Sequence, residues 1–257
     1  MKKLALTSLL AVVAVSGAHA ANVIDGNPLY RPDAGRFVSE TTLATHTKST
    51  NVAALGEEFS YGITDKLSIG IATSFAQRDW FDANEWSDFG VGLNARVFEH
   101  DGWVADLYGS YGLETIWGDH ASFLDQDLTF YDWTVGVRGG FVGNGWTLAG
   151  HVEHTYTNTE SFNWDDKGLH MLAAGVDAQV LLNNSWNLVA GAEYNKSLNH
   201  YNEVHGSWDF MFGANYNIDA TKYVGAYLTK EMEHTANDGE WDITDGFGVA
   251  VKFGIDF

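Results

Sequence analysis

The chain has no cysteine and only two prolines, Pro28 and Pro32, among its 257 residues. Lack of cysteine rules out a disulfide framework, so packing and hydrogen bonding must hold the fold. From Asp33 to Phe257 there is no proline at all. Proline removes a ladder donor and is kept out of central strands, so a run this long without it fits a chain that is nearly all paired strand. Basic residues are scarce as well: 14 Lys and Arg stand against 34 Asp and Glu, a formal charge of −20. That balance argues against nucleic acid as a partner, which needs basic patches. Beyond the first residues no apolar run approaches the roughly 20 residues of a membrane-spanning helix.

What is abundant is glycine (28) and aromatic side chains: 10 Trp, 11 Tyr and 15 Phe. The chain opens 1-MKKLALTSLLAVVAVSGAHA-20. Lys2 and Lys3 precede an apolar run from Leu4 to Val15, and Ala18-His19-Ala20 forms an A-x-A site. The stretch reads as a cleaved secretory signal, residues 1–20, and its apolar run is too short for an anchor. Residues 21–35 then form a lead-in, and 36–257 a single domain.

In that domain apolar and polar residues alternate with a period of two. Twelve segments result: 36–48, 52–63, 67–77, 86–98, 103–115, 128–141, 146–158, 168–181, 186–198, 206–218, 222–234 and 243–257. Two kinds of connection alternate between them. One is short and turn-forming, as in Glu99-His100-Asp101-Gly102, Gly143-Asn144-Gly145 and Asn183-Asn184-Ser185; Asn-Gly and Asp-Gly accept positive φ and signal hairpins. The other is mostly longer and acidic, as in 116-IWGDHASFLDQD-127 and 159-TESFNWDDK-167. Segments of about eleven to fourteen residues exceed the roughly 5–6 usual in soluble sheets and suit a tilted strand crossing a bilayer.

The faces differ sharply. In the last segment Phe247, Val249, Val251, Phe253, Ile255 and Phe257 oppose Gly248, Ala250, Lys252, Gly254 and Asp256. A soluble sandwich would turn the apolar face to its core, whereas a membrane barrel turns it to lipid. Charges recurring in mid-strand on the minority face favour the barrel, whose closure also removes edges that lipid cannot satisfy. Leu67, Trp103, Trp146, Trp186 and Tyr223 open strands at a spacing near 40 residues, which could suggest a propeller. Each period, however, holds two long strands and not four short ones.

With its export signal, its alternating loops and the ending 249-VAVKFGIDF-257, the chain resembles the bacterial outer-membrane β-barrel proteins. The ending resembles the C-terminal strand by which the barrel-assembly machinery recognises that group. The resemblance implies an all-β, antiparallel, up-and-down transmembrane barrel of about twelve strands, with both ends on the periplasmic side. It also implies outer-membrane localisation and contact with membrane lipid and lipopolysaccharide.

The inward faces then carry Glu58, Asp106, Glu114, Asp132, Glu153, Asp177, Glu193, Asp209 and Asp256, with Arg96, Arg138 and Lys252. These are candidate pore-lining residues, and their acidic excess favours cations or neutral solutes. The same charges could instead pair into a closed plug. Trp103, Trp146, Trp186, Tyr223 and Phe257 are expected at the membrane interface near the short turns, where amphipathic rings gather. A second aromatic set lies towards the long loops: Trp80, Phe81, Trp86, Trp117, Phe123, Phe162, Trp164, Tyr201, Trp208 and Trp241. It could alternatively be a sugar platform. No compact histidine spacing points to a metal, since His151 and His154, three apart, face opposite sides of a strand. The acidic loops lack EF-hand spacing. The stretch 108-YGSYG-112 is not a nucleophile elbow, and no cofactor is expected. The sequence therefore reads as a narrow passive channel for small neutral or cationic solutes, without enzymatic activity. The alternatives are a closed structural or adhesive barrel acting through its acidic loops and, third, an outer-membrane lipid hydrolase.

Overall fold

A computed structural model describes residues 27–78, 83–116, 128–158, 168–199, 204–235 and 241–257. The long-loop tips and the export segment lie outside them, so the sequence readings of 1–20, 117–127 and 159–167 do too. The described strands are β1 (Phe37–His46), β2 (Ser49–Thr64), β3 (Leu67–Arg78), β4 (Ala83–His100), β5 (Trp103–Ile116), β6 (Leu128–Gly143), β7 (Trp146–Thr157), β8 (Leu169–Leu181), β9 (Trp186–Ser197), β10 (Val204–Asn217), β11 (Lys222–Thr235), β12 (Trp241–Ile243) and β13 (Gly248–Asp256). Each strand from β1 to β11 pairs antiparallel with the next, and β13 closes the sheet between β11 and β1. Twelve strands thus make a closed barrel, and β12 is a short addition paired to the far end of β11.

The strands form where the alternation lies, because a closed sheet gives each side chain one of two environments. In β7 Trp146, Leu148 and Val152 are exposed, while Thr147, His151 and Glu153 are buried. In β10 Phe210, Phe212 and Tyr216 are exposed around a fully buried Asn215. The largest fully buried side chains include Asn94, Asn187 and Asp106, whereas Leu93, Val176 and Phe212 remain more than half exposed. A water-soluble sandwich would show the reverse. This polar-in, apolar-out order is that of a barrel built for lipid.

The short turns follow their residues. Asp101 and Gly102 both take positive φ, 50° and 82°, as a two-residue type I′ hairpin requires. At the turn before β9 Asn183 Oδ1 accepts from Ser185 N at 2.8 Å and Trp186 N at 3.0 Å. Asp219 does the same for Thr221, taking its backbone N–H and its hydroxyl, both at 2.8 Å. Those bonds stabilise the anion and hold the Asp219 carboxyl below its ordinary pKa.

The end of the chain departs from the sequence reading. The segment expected at 243–257 is interrupted over 244–247, which separates β12 from β13. Gly246, at φ 87°, packs where His46, Thr47 and Lys48 would meet any side chain at its Cα. The interruption frees backbone groups, and these find partners. Lys230 Nζ donates to Thr244 O and to Gly246 O, and Thr47 Oγ1 accepts from Phe247 N. Irregular backbone at such a depth persists only when satisfied in this way.

One polar island interrupts the outward face. Thr41, Glu57 and Thr73 stand in one row across β1, β2 and β3, flanked by Phe253 and Phe89. The rows on either side include Leu43, Leu55 and Phe75, or Phe59 and Ile71, all exposed. The Glu57 carboxylate accepts from Ser39 Oγ at 2.7 Å and Thr41 Oγ1 at 2.5 Å. Hydroxyls only partly replace water around a carboxylate in an apolar band. Glu57→Leu is expected to raise stability by about 1 kcal/mol, measured by reversible urea unfolding in lipid vesicles; a loss of stability would show that the hydroxyl pair fully solvates the carboxylate.

Candidate functional site

All the sequence-predicted pore-lining residues lie on the inward face: Glu58, Arg96, Asp106, Glu114, Asp132, Arg138, Glu153, Asp177, Glu193, Asp209, Lys252 and Asp256. The sheet brings many of them into one hydrogen-bonded row. Arg96 stands opposite Asp106, Asp106 opposite Arg138 and Arg138 opposite His151. The row goes on through Gly175 to Glu193, then Asp209, then Glu231. Eight strands thus contribute one inward residue each.

The row is a ramp. Asp106 is three residues past Trp103 in β5, His151 five past Trp146 in β7, Glu193 seven past Trp186 in β9 and Glu231 nine past Lys222 in β11. Strands tilt in a barrel, so a line along the hydrogen bonds must climb. From Asp106 to Glu231 the climb is roughly 20 Å measured along the strands. Its low end, near the short turns, is basic, and its high end, towards the long loops, is acidic.

Each half has its own chemistry. At the low end Asp106, 1% exposed, accepts from Arg96 Nε at 3.0 Å and from Arg138 at 2.9 Å. Arg96 also donates to Leu29 O at 2.7 Å. In the middle His151 stands between Asp177, 3.3 Å from its Nδ1, and Glu193, 2.8 Å from its Nε2. Tyr108 donates to Glu153 at 2.7 Å. At the high end Asn195 Nδ2 bridges Glu193 at 3.0 Å and Asp209 at 2.9 Å. A separate cluster on the β13 side joins Lys252 to Glu40 at 2.7 Å, and Tyr223 donates to the same Glu40 carboxylate.

Residues 27–36 close on the low end. Leu29 is buried against Val104 and Ala149 on the inner wall. Arg36 pairs with Asp256 at 2.7 Å, Arg31 donates to Thr64 O at 2.9 Å, and Tyr30 lies 3.4 Å from Asp256. Burial first, and the Asp256 charge next, push the Tyr30 phenol above its ordinary pKa. Gly62 is required here: a Cβ on it would strike the carbonyls of Pro32 and Asp33.

Of the predicted interface aromatics, Trp103, Trp146, Trp186 and Phe257 project outward at the short-turn end. Trp103 and Trp146 both pack on Phe141, at 5.3 and 5.2 Å between ring centroids. Tyr223 does not join them. It is 2% exposed and faces inward, its ring over Gly254 and its hydroxyl on Glu40. β11 begins at Lys222, so its outward positions are Val224 and Leu228. That parity also places Glu231 and Glu233 inward, two residues that the sequence reading left out. Glu40 and Asp88 also lie on the inward face and were likewise left out of the sequence reading. On the long-loop side Trp208 and Trp241 are exposed, and the other predicted aromatics there lie outside the described residues or have side chains outside them.

Removing the shared carboxylate of the low-end cluster leaves two guanidinium groups facing each other in a buried site. Asp106→Asn is therefore expected to destabilise the barrel by about 3–5 kcal/mol, read as a lower urea midpoint. A change below about 1 kcal/mol would mean that water reaches both arginines.

No family model matches the chain, and no curated protein sequence matches it. Solved structures match in fold. The KdgM porin in complex with disordered oligogalacturonate superposes with a TM-score of 0.58 at 8% identity, over 86% of this chain and 99% of its own. The NanC porin gives 0.57 at 10% identity, over 85% and 98%. The translocator domain of the autotransporter NalP from Neisseria meningitidis gives 0.54 at 12%, over 100% and 97%. The chain has the fold of the porin-like bacterial outer-membrane β-barrels, closed by twelve antiparallel strands.

Proposed function

We propose that the protein is a narrow passive channel of the bacterial outer membrane for small cationic or neutral solutes. The observation that carries this reading is the inward ramp, which lines the lumen with charge and ends in carboxylates at the long-loop mouth. Short turns face the periplasm in such barrels and longer loops face outward, so a solute arriving from outside meets the acidic half of the ramp, Glu193, Asp209 and Glu231, before the basic half. Rings of acidic side chains favour cations. A polyanionic saccharide of the kind held by the KdgM porin would meet repulsion there. On this reading the C-terminal strand is the segment presented to the barrel-assembly machinery. The outward Trp belt meets headgroups, lipopolysaccharide surrounds the loops, and no chemistry or cofactor is needed.

Planar-bilayer recording of the full-length barrel tests it. Stepwise currents are expected, with a reversal potential in a KCl gradient that favours K⁺. The triple variant Glu193→Gln, Asp209→Asn, Glu231→Gln is expected to lose most of that selectivity. Absence of current steps in any salt would overturn the channel reading, and a reversal potential favouring chloride would overturn the cation preference.

The residues 27–36 tucked into the short-turn mouth favour a second reading, a barrel closed from below that acts through its loops. Deleting 27–33 separates the two. A channel gains conductance from a current already present, whereas a closed barrel is silent until the deletion.

A further inference from the structure

Charge is sorted across the barrel wall. From β5 to β11 the described outward positions carry no carboxylate, although the inward ones carry many. The outward bases of that sector are His154, His170, Lys196, Lys230 and His234, and all lie in its long-loop half. In a chain of 34 acids and 14 Lys and Arg, composition alone would not produce this. Lys230 is held by the carbonyls of Thr244 and Gly246, and His234 packs on Trp241. The other three stand together. His154 Nε2 meets His170 Nδ1 at 3.1 Å. Trp133 lies 5.5 Å from the first ring and Tyr156 5.0 Å from the second, between centroids. Lys196 is exposed and makes no ion pair among the described residues; its row runs His154, Leu172, Lys196. Two strand spacings put the two ends of that row roughly 10 Å apart at the backbone. His154 is eight residues past Trp146, and Lys196 is ten past Trp186. Along strands tilted by about 40° those counts rise roughly 20–26 Å above the Trp belt, close to the ~25 Å height of the apolar band. The three bases thus sit at the opposite headgroup level.

We propose that His154, His170 and Lys196 bind the phosphate group of an outer-leaflet glycolipid on the outer wall of the barrel. The lysine ammonium supplies one charge and three donors. In the histidine pair one ring donates to the other, so a single added proton leaves two further N–H groups, at His154 Nδ1 and His170 Nε2. Phosphate oxygens accept such donors in short, charge-assisted hydrogen bonds. Leu172, 38% exposed between the pair and Lys196, offers the acyl chains an apolar floor. Trp133 and Tyr156 place amphipathic rings at the depth where the headgroup sugar lies. With no carboxylate on this sector, a divalent cation has nothing to bridge to the lipid, and the phosphate meets the bases directly. The proposal rests on the reading that places the long loops outside the outer membrane, and it does not require a conducting lumen.

Native mass spectrometry of the folded full-length barrel in neutral detergent, titrated with diphosphoryl lipid A, tests it. One retained lipid per barrel is expected. Lys196→Gln and the double variant His154→Gln, His170→Gln should each weaken retention about fivefold. Lys66→Gln, which removes the same charge at a short turn, should leave it unchanged. Lipid A stripped of its phosphates should bind about tenfold more weakly. The substituted side chains face outward, and the folded state of each variant is checked by its urea midpoint. Equal retention of the stripped lipid, wild-type retention by both variants, or an equal loss in Lys66→Gln would each overturn the proposal. Displacement of the lipid by millimolar inorganic phosphate would overturn the lipid as the source of the anion. Lipid binding without current steps would leave this site standing and sink the channel; current steps without lipid binding would do the reverse.

Discussion

Everything inside this barrel depends on closure of the sheet. Once β13 pairs with β1, each strand must tilt, and every row of hydrogen-bonded residues becomes a ramp. Side chains far apart in sequence are then fixed at successive heights with little freedom to drift. Arg96 and Glu231 are separated by most of the chain, yet they belong to one such row. The polarity of that row, basic below and acidic above, is set by which residue occupies the inward position where each strand crosses it.

The second constraint is space. A ring pointing inward needs a neighbour without a side chain, and glycines supply it. The Tyr108 ring occupies the place of a Gly136 side chain, and His151 occupies that of Gly175. Tyr227 lies against both Gly213 and Gly225, and its hydroxyl meets Asn215 at 2.5 Å. The high glycine content is therefore bound up with the luminal polar groups: it lets them lie along the wall, near enough to one another to exchange hydrogen bonds. Buried polar groups persist only when so paired.

These features explain what could be read from sequence alone. Period-two alternation and hairpin turns are local, so strand number, closure and the inward direction of Arg96, Asp106 and Lys252 were legible. Register is not local, and nothing in the sequence of β10 shows that Asp209 faces Glu231. One parity error hid that pair. Tyr223 follows a short turn as Trp146 and Trp186 do, which suggested an outward ring. But β11 starts one residue earlier relative to its aromatic, and the whole strand, glutamates included, is turned by one face. The interruption at 244–247 was invisible for another reason: the groups that satisfy it come from elsewhere in the chain, Lys230 from β11 and Thr47 from the turn between β1 and β2. The tuck of 27–36 was equally hidden, since Leu29 alone does not reveal that Val104 and Ala149 await it.

The interruption has a mechanical consequence. β13 pairs with β11 only over Lys222–Thr229 and with β1 only over Val38–His46, whereas β4 and β5 pair from Trp86 to His100. The two ladders that close the cylinder are thus its shortest, and they flank the same strand. Pulled apart or thermally strained, the cylinder should part along β13 before anywhere else. The barrel's lifetime is therefore governed by its narrowest seam rather than by its average wall.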